Sequence, residues 1–163
     1  MTEYHDVVFK IRALLDEAGA EYKTFEHEAV RTSEEAAALR PEYSLSQGTK
    51  ALLIRIKDRE NQKRFVQVVV PGDQKFDPKK VRHELDVKDT RFATPEEVAE
   101  ITNGVLPGGV PPFGNLFGLP VYVDEQCTEH DEVIFNAGDK RYSIAMKVKD
   151  YLPIVNPTIV SIV

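Results

Sequence analysis

Cysteine is nearly missing from this chain. Cys127 is the single one among 163 residues, so no intrachain disulfide can form. That usage fits a reducing compartment, and a cytoplasmic protein is expected. Long apolar runs are missing too. None approaches the roughly 20 residues that cross a membrane, and the start, "MTEYHDVVFK", lacks the basic-then-apolar order of a signal peptide. No membrane partner is expected. Metal-ligand spacing is absent: Cys127 and His130 stand three apart but bring no further ligands, so neither a metal nor a cofactor is expected. There is no GxxxxGK[ST] phosphate loop, no GxGxxG after a strand and no GxSxG elbow. The four histidines, His5, His27, His83 and His130, lie in unrelated contexts, and covalent catalysis by serine or cysteine has little to rest on. An excess of positive charge is also lacking. The formal net charge is -6, whereas proteins that hold nucleic acid mainly by charge are usually basic. DNA is not expected as a partner, and any contact with RNA should be local.

What is present suits one domain over residues 1–163, with 42% hydrophobic residues to bury a core. Val7, Val8, Ile11, Leu14, Leu15 and Ala18 recur at helical spacing before Gly19, predicting a helix from about Glu3 to Ala18. "YKTFEH" alternates as a short strand. Thr32 and Glu35 stand three apart like a capping box, so "TSEEAAAL" should begin a short helix. "KALLIRI" and "RFVQVVV", separated by polar "KDRENQK", read as a central β-hairpin. Asp77 with Pro78, and Thr94 with Pro95 and Glu97, are helix starts. "TRFA", "LPVYVDE", "EVIFNAG" and "RYSIAMKV" read as strands, "KDYLPIV" as a short helix, and "TIVSIV" as a last strand or a tail on the core. Strands and helices mix without strict alternation. This predicts a single mixed α/β domain around a central, mixed and curved sheet rather than a doubly wound one.

Two features then carry the chemistry. Lys50 opens the most apolar strand, in "GTKALLIRI", and reads either as a snorkelling surface residue or as a placed cation. "GVLPGGVPPFG", Gly104 to Gly114, is too rich in glycine and proline for a helix or a central strand. Such clusters are often only turns. Here, glycine also permits close backbone approach and leaves N–H groups exposed, while proline fixes φ and removes donors at chosen points. A rigid rim with N–H groups facing one oxygen is what an oxyanion site requires.

These residues resemble the YbaK/prolyl-tRNA-synthetase-associated domain family. The resemblance rests on "GTKALLIR" with Lys50, "VVVPGDQKFDPKKV", "GVLPGGVPPFG" and "VYVDE" followed by "VIFNAG", in that order, and runs from about Glu26 to Leu152. It implies a mixed α/β fold with a partly barrelled sheet. It also implies hydrolysis of the ester that joins a wrong amino acid to the 3′ end of a tRNA, often tRNA for proline. The family's lysine falls on Lys50 and its GxxxP motif on Gly108 to Pro112. An aminoacyl ester is already activated, so a positioned water and a stabilised oxyanion can suffice without a triad. The catalytic set expected is Lys50, Gly108 and Gly109. Backbone N–H groups at Gly108 to Val110 would hold the ester oxygen, and Lys50 would hold a phosphate or carbonyl of the terminal nucleotide as a point charge.

Substrate-binding positions expected are Thr32, Val110, Pro112, Phe113, Gly138 and Ser143, with a helix cap as the competing role of Thr32. In relatives, residues just after the "NAG" segment line the amino-acid pocket. Tyr142 and Ser143 stand where the cysteine-specific branch tends to have a glycine and an acidic residue, and the histidine-containing segment typical of the alanine-specific branch is missing. A small or hydroxyl-bearing amino acid is therefore expected: alanine, serine, threonine or cysteine. The partners implied are the acceptor end of aminoacyl-tRNA and a prolyl-tRNA synthetase or another synthetase. Arg55, Lys57, Arg59, Lys63 and Arg64, and the cations from Lys75 to Arg91, divide between solvated surface and contact with an acceptor stem. The competing readings are a non-catalytic module that binds aminoacyl-tRNA or an amino acid beside a synthetase, and a regulatory subunit whose loop contacts protein.

Overall fold

A computed structural model describes residues 3–29, 33–38 and 42–163. Thr32, with its expected cap or substrate contact, lies outside the described residues. Helix α1 (Asp6–Glu17) buries Val7, Val8, Ile11 and Leu15, the stripe that the spacing predicts. Its start lies at His5, whose Nδ1 accepts from the Val7 N–H at 3.1 Å while Nε2 meets the Asn103 carbonyl at 2.8 Å. β1 (Tyr22–Glu26) and α2 (Ser33–Ala38) follow.

The hairpin forms as expected, from β2 (Thr49–Asp58) and β3 (Lys63–Pro71), in a register that sets Lys50 opposite Val70 and Lys57 opposite Lys63. β4 (Val87–Phe92) lies antiparallel on the far edge of β2. β5 (Val121–Asp124) runs parallel to β3, and β8 (Thr158–Val160) parallel to β5. This sheet is mixed, in the order β4-β2-β3-β5-β8. β6 (Glu132–Asp139) and β7 (Tyr142–Lys147) form a second hairpin, extended by β1 into an antiparallel sheet of three strands.

The class is the expected mixed α/β, but the strands divide into two sheets and do not close into a barrel. The physical reason is that among the described residues the two sheets share only one isolated bridge, between Gly48 and Ile134. Each hairpin is complete within its own sheet.

Helices α3 (Pro78–Leu85), α4 (Pro95–Thr102) and α5 (Val148–Val155) complete the fold. Asp77 and Thr94 cap α3 and α4 as their sequences require, with Asp77 accepting from the Lys79 N–H and Thr94 from the Glu97 N–H. β3 explains its own composition. Successive side chains point to opposite faces, and both faces are covered. Val66, Val68 and Val70 pack with Ile54, Ile56, Val81 and Ile162. Val69 joins the main core with α1, Phe113, Phe135 and Ile144. A strand buried on both faces reads as a continuous apolar run. Gln67 interrupts that run and is fully buried, so it must find hydrogen-bond partners inside the protein.

Candidate active site

Those partners lie in the Gly/Pro loop. Gln67 Nε2 donates to the Pro111 carbonyl at 2.9 Å, and its Oε1 accepts from the Gly114 N–H at 2.8 Å. One side chain of the central strand thus holds both sides of "PPF". From α5, the Tyr151 hydroxyl donates to the Pro112 carbonyl at 2.6 Å. Burial pushes that phenol well above the tyrosine range, so it remains a donor. Phe113 is enclosed in the core, with its ring 5.4 Å from that of Phe135 and 5.5 Å from that of Tyr151. Val110 and Pro112 are buried as well. Expected as substrate contacts, Pro112 and Phe113 are the anchors of the loop, because their apolar surface is already covered by the core.

The other end of the loop is a single 3-10 turn, Pro107–Gly109. Three N–H groups were expected to face the substrate oxygen, but the turn uses two of them. Gly109 N–H donates to the Leu106 carbonyl at 2.8 Å, and Val110 N–H makes a long 3.5 Å bond to Pro107. Gly108 N–H has no acceptor among the described residues. Gly108 is exposed and Gly109 buried. A Cβ on Gly108 would meet Cε of Lys140 at 2.5 Å, whereas one on Gly109 would make ordinary contact with the Gly138 and Asp139 backbone at 3.4 Å. The flexible Lys140 chain therefore lies over Gly108, a neighbour that sequence reasoning missed.

β6 shapes the floor of the turn. Its pairing with β7 shifts register between Asn136 and Asp139, and Gly138 sits there at φ +109. At the start of this irregularity, Asn136 Nδ2 donates to the Gly108 carbonyl at 2.9 Å. Asn136 Oδ1 lies 3.3 Å from Ser143 Oγ, and Ser143 Oγ lies 2.8 Å from His27 Nε2. Nδ1 of His27 faces the Glu28 carbonyl at 2.8 Å. A polar row of three side chains thus ends on the loop. Neither His27 nor Asn136 was among the expected site residues. The signal for Asn136 was a polar residue inside the otherwise apolar "VIFNAG". Arg141 forks onto Asp139 at 2.7 and 2.9 Å, holding that carboxylate below its usual pKa and fixing the turn beyond the bulge.

Lys50 sits on β2, which packs against the 3-10 turn. It is half-buried and makes no ion pair among the described residues. Burial lowers the pKa of its ammonium. Glu34 opposes that shift, Lys75 adds to it, and Asp73 opposes it. A half-desolvated cation with no ion-pair partner among the described residues is suited to take an anion from a ligand. Cys127 is buried, with its thiol pushed up to about 12 by that burial, and His130 Nε2 lies 3.1 Å from Ser46 Oγ. No group of three or more His, Cys, Asp or Glu that could hold an ion occurs among the described residues. Among those residues, no helix is long and apolar enough to cross a membrane.

The Gln67 clamp gives a direct test. Gln67→Leu keeps the volume but leaves the Pro111 carbonyl and the Gly114 N–H without partners. At about 1–3 kcal/mol for each of the two buried orphans, a loss of about 2–6 kcal/mol is expected in urea unfolding, together with impaired turnover as the loop loosens.

Known proteins share this architecture. A family model described as an aminoacyl-tRNA editing domain matches residues 27–154. The chain is 33% identical over 153 residues to the multifunctional Ser/Thr-tRNA deacylase ProXp-y of Escherichia coli (strain K12), covering 93% of this chain and 90% of that protein. It is 31% identical over 98 residues to a proline–tRNA ligase of Sulfurihydrogenibium sp. (strain YO3AOP1), which is 60% of this chain but 16% of the ligase. A crystal structure proposed to be a trans-editing enzyme for prolyl-tRNA synthetase superposes with a TM-score of 0.81 at 26% identity, over 98% of both chains. With the match extending over most of its length, this chain belongs to the aminoacyl-tRNA editing domain family.

Proposed function

We propose that this protein is a trans-acting deacylase that removes serine or threonine from mischarged tRNA, with tRNA for proline as the first substrate to test. Hydrolase activity on the aminoacyl ester follows from membership of the editing family and from the Escherichia coli relative named as a Ser/Thr-tRNA deacylase. The observation that carries the choice of amino acid is the polar row of His27, Ser143 and Asn136 ending on the Gly108 carbonyl. A hydroxyl-bearing side chain beside this row finds partners that alanine cannot use. A site built to bond a hydroxyl discriminates strongly against analogues without one.

The chemistry needs few groups. A water oxygen adds to the ester carbonyl carbon, the bond from that carbon to the ribose oxygen breaks, and the ribose oxygen takes the proton. The products are free amino acid and uncharged tRNA. Gly108 N–H is the donor available for the developing oxyanion, and the Val110 N–H, on its long bond, is a second that a small shift would free. Lys50 holds an anionic oxygen of the terminal nucleotide and so fixes the ester against the loop. A hydroxyl of the substrate's own ribose can take the place of water without changing these roles.

The deciding assay is deacylation of tRNA for proline charged with serine, threonine, alanine, cysteine or proline. Seryl and threonyl esters are expected to be cleaved at least about 100-fold faster than the alanyl ester. Ser143→Ala should lower kcat/KM for the seryl ester about tenfold while sparing the alanyl ester. Equal rates on seryl and alanyl esters would remove the role given to the polar row. Tight binding with no turnover of any ester would support a binding module instead.

A further inference from the structure

The charge of this chain is unevenly placed. Residues 50–91 carry 12 of the 21 lysines and arginines but 7 of the 27 acidic residues, a net +5 against -11 for the rest of the chain. Five of these cations line two adjoining clefts. An open cleft of about 450 Å³ is lined by Arg59, Arg82, His83, Val87 and Lys88. A neighbouring one of about 300 Å³ is lined by Lys79, Lys80, His83, Glu84 and Ser161. His83 on α3 borders both, so the two clefts adjoin there, and together they make up the trough.

The helix that carries these clefts starts on the site's side of the hairpin, because β3 ends at Pro71 opposite Thr49 and α3 begins at Pro78. The charge of Lys75 is felt at Lys50, and α3 begins three residues after Lys75, at Pro78. Eight helical residues extend this basic strip by about 12 Å. Much of the charge is available. Lys75, Lys79 and Arg82 make no ion pair among the described residues. Arg59 pairs with Asp86 at 3.2 Å, but both side chains are more than half exposed, and such pairs exchange easily for a better anion. Among the described residues, Lys88 donates to the neutral Asn61 side chain and Lys80 to the main-chain oxygen of Val163.

We infer that this trough binds the sugar–phosphate backbone of the tRNA substrate while its aminoacyl end reaches Lys50 and Gly108. The inference rests on the deacylase reading and adds where the body of the tRNA lies. The lining favours a polyanion over an acidic protein. Protein interfaces have an apolar centre, and the single apolar residue here, Val87, is itself buried. Backbone contacts by lysine and arginine position a nucleic acid without reading its sequence. This face therefore contributes affinity, while the choice of amino acid stays with the polar row.

The test compares wild type with the double variant Arg82→Ala/Lys88→Ala. The probes are an uncharged transcript of tRNA for proline and a seryl ester of a short CCA fragment that has no stem. The variant is expected to bind the transcript about tenfold more weakly, and the log–log salt dependence should flatten by about one per cation removed. Cleavage of the short ester should match wild type, because the fragment does not reach the trough. Unchanged affinity and salt slope would overturn the inference while leaving the deacylase reading intact. Equal loss on the short ester would also overturn it, since the residues would then act through the fold. A wild type that cleaves neither the short ester nor the same tRNA charged with serine, yet binds the transcript with a variant-sensitive slope, would support the trough and sink the deacylase reading.

Discussion

Lys50→Ala is expected to abolish measurable deacylation, with a loss of about 100- to 1,000-fold or more in kcat/KM, in a protein that melts no lower than wild type. The loss follows from removing a cation placed against developing or bound negative charge, where one such group is worth about that factor. The intact fold follows from its electrostatics. Lys50 is half-buried, its pKa is lowered by that burial, and it makes no ion pair among the described residues. The folded state therefore bears a desolvation cost that alanine removes. Single-turnover hydrolysis and a thermal melt on the same sample separate the two effects. Near-native turnover in the variant would end the role assigned to Lys50. Lys50→Arg is expected to recover only part of the rate, because a planar fork does not replace a compact point charge.

Gly138→Ala is expected to lower stability by about 2–6 kcal/mol. Two costs act together. The backbone at Gly138 has φ +109, where an L-residue carries strain of about 1–3 kcal/mol. The added Cβ would also lie 2.0 Å from Val7 Cγ1, and overpacking costs about 1–3 kcal/mol. Both sides of that contact are fixed, since Val7 is buried on α1 and Gly138 lies in the irregular part of β6. Urea unfolding measures the total. Adding Val7→Ala should relieve the steric part and leave the backbone part, so the double variant should not be less stable than expected from its two single changes. If Gly138→Ala alone unfolds within about 0.5 kcal/mol of wild type, the usual range for a surface change, the close packing of α1 on the bulge is wrong.

The apolar spacing of α1, the two capped helix starts and the β2–β3 hairpin were all legible, because each depends on residues near one another in sequence. The division into two sheets was not. It depends on which strands meet in space, and β1 finds β7 across more than a hundred residues. Lys50 and the GxxxP loop were legible as a pair of features, but the hydrogen bonds within the loop were not. Gly109 N–H is used by the 3-10 turn, a local geometry that "PGGV" does not announce. Gln67 was passed over as part of a hydrophobic strand. A polar residue between valines in a strand buried on both faces is itself a signal, since it must be bonded to something. Asn136, in "VIFNAG", carries the same signal. Both hold the loop, one from each sheet.

The loop is thus held from three distant parts of the chain: Gln67 on β3, Asn136 on β6 and Tyr151 on α5. It cannot reach its working geometry in a partly assembled molecule. Hydrolytic competence should appear in one step with completion of the native state, and a denaturant titration should show activity and structure failing together. For an enzyme acting on esters, this has a protective side. A newly made or damaged chain that is only half folded lacks the means to strip correctly charged tRNAs, so errors in folding produce silence rather than indiscriminate cleavage.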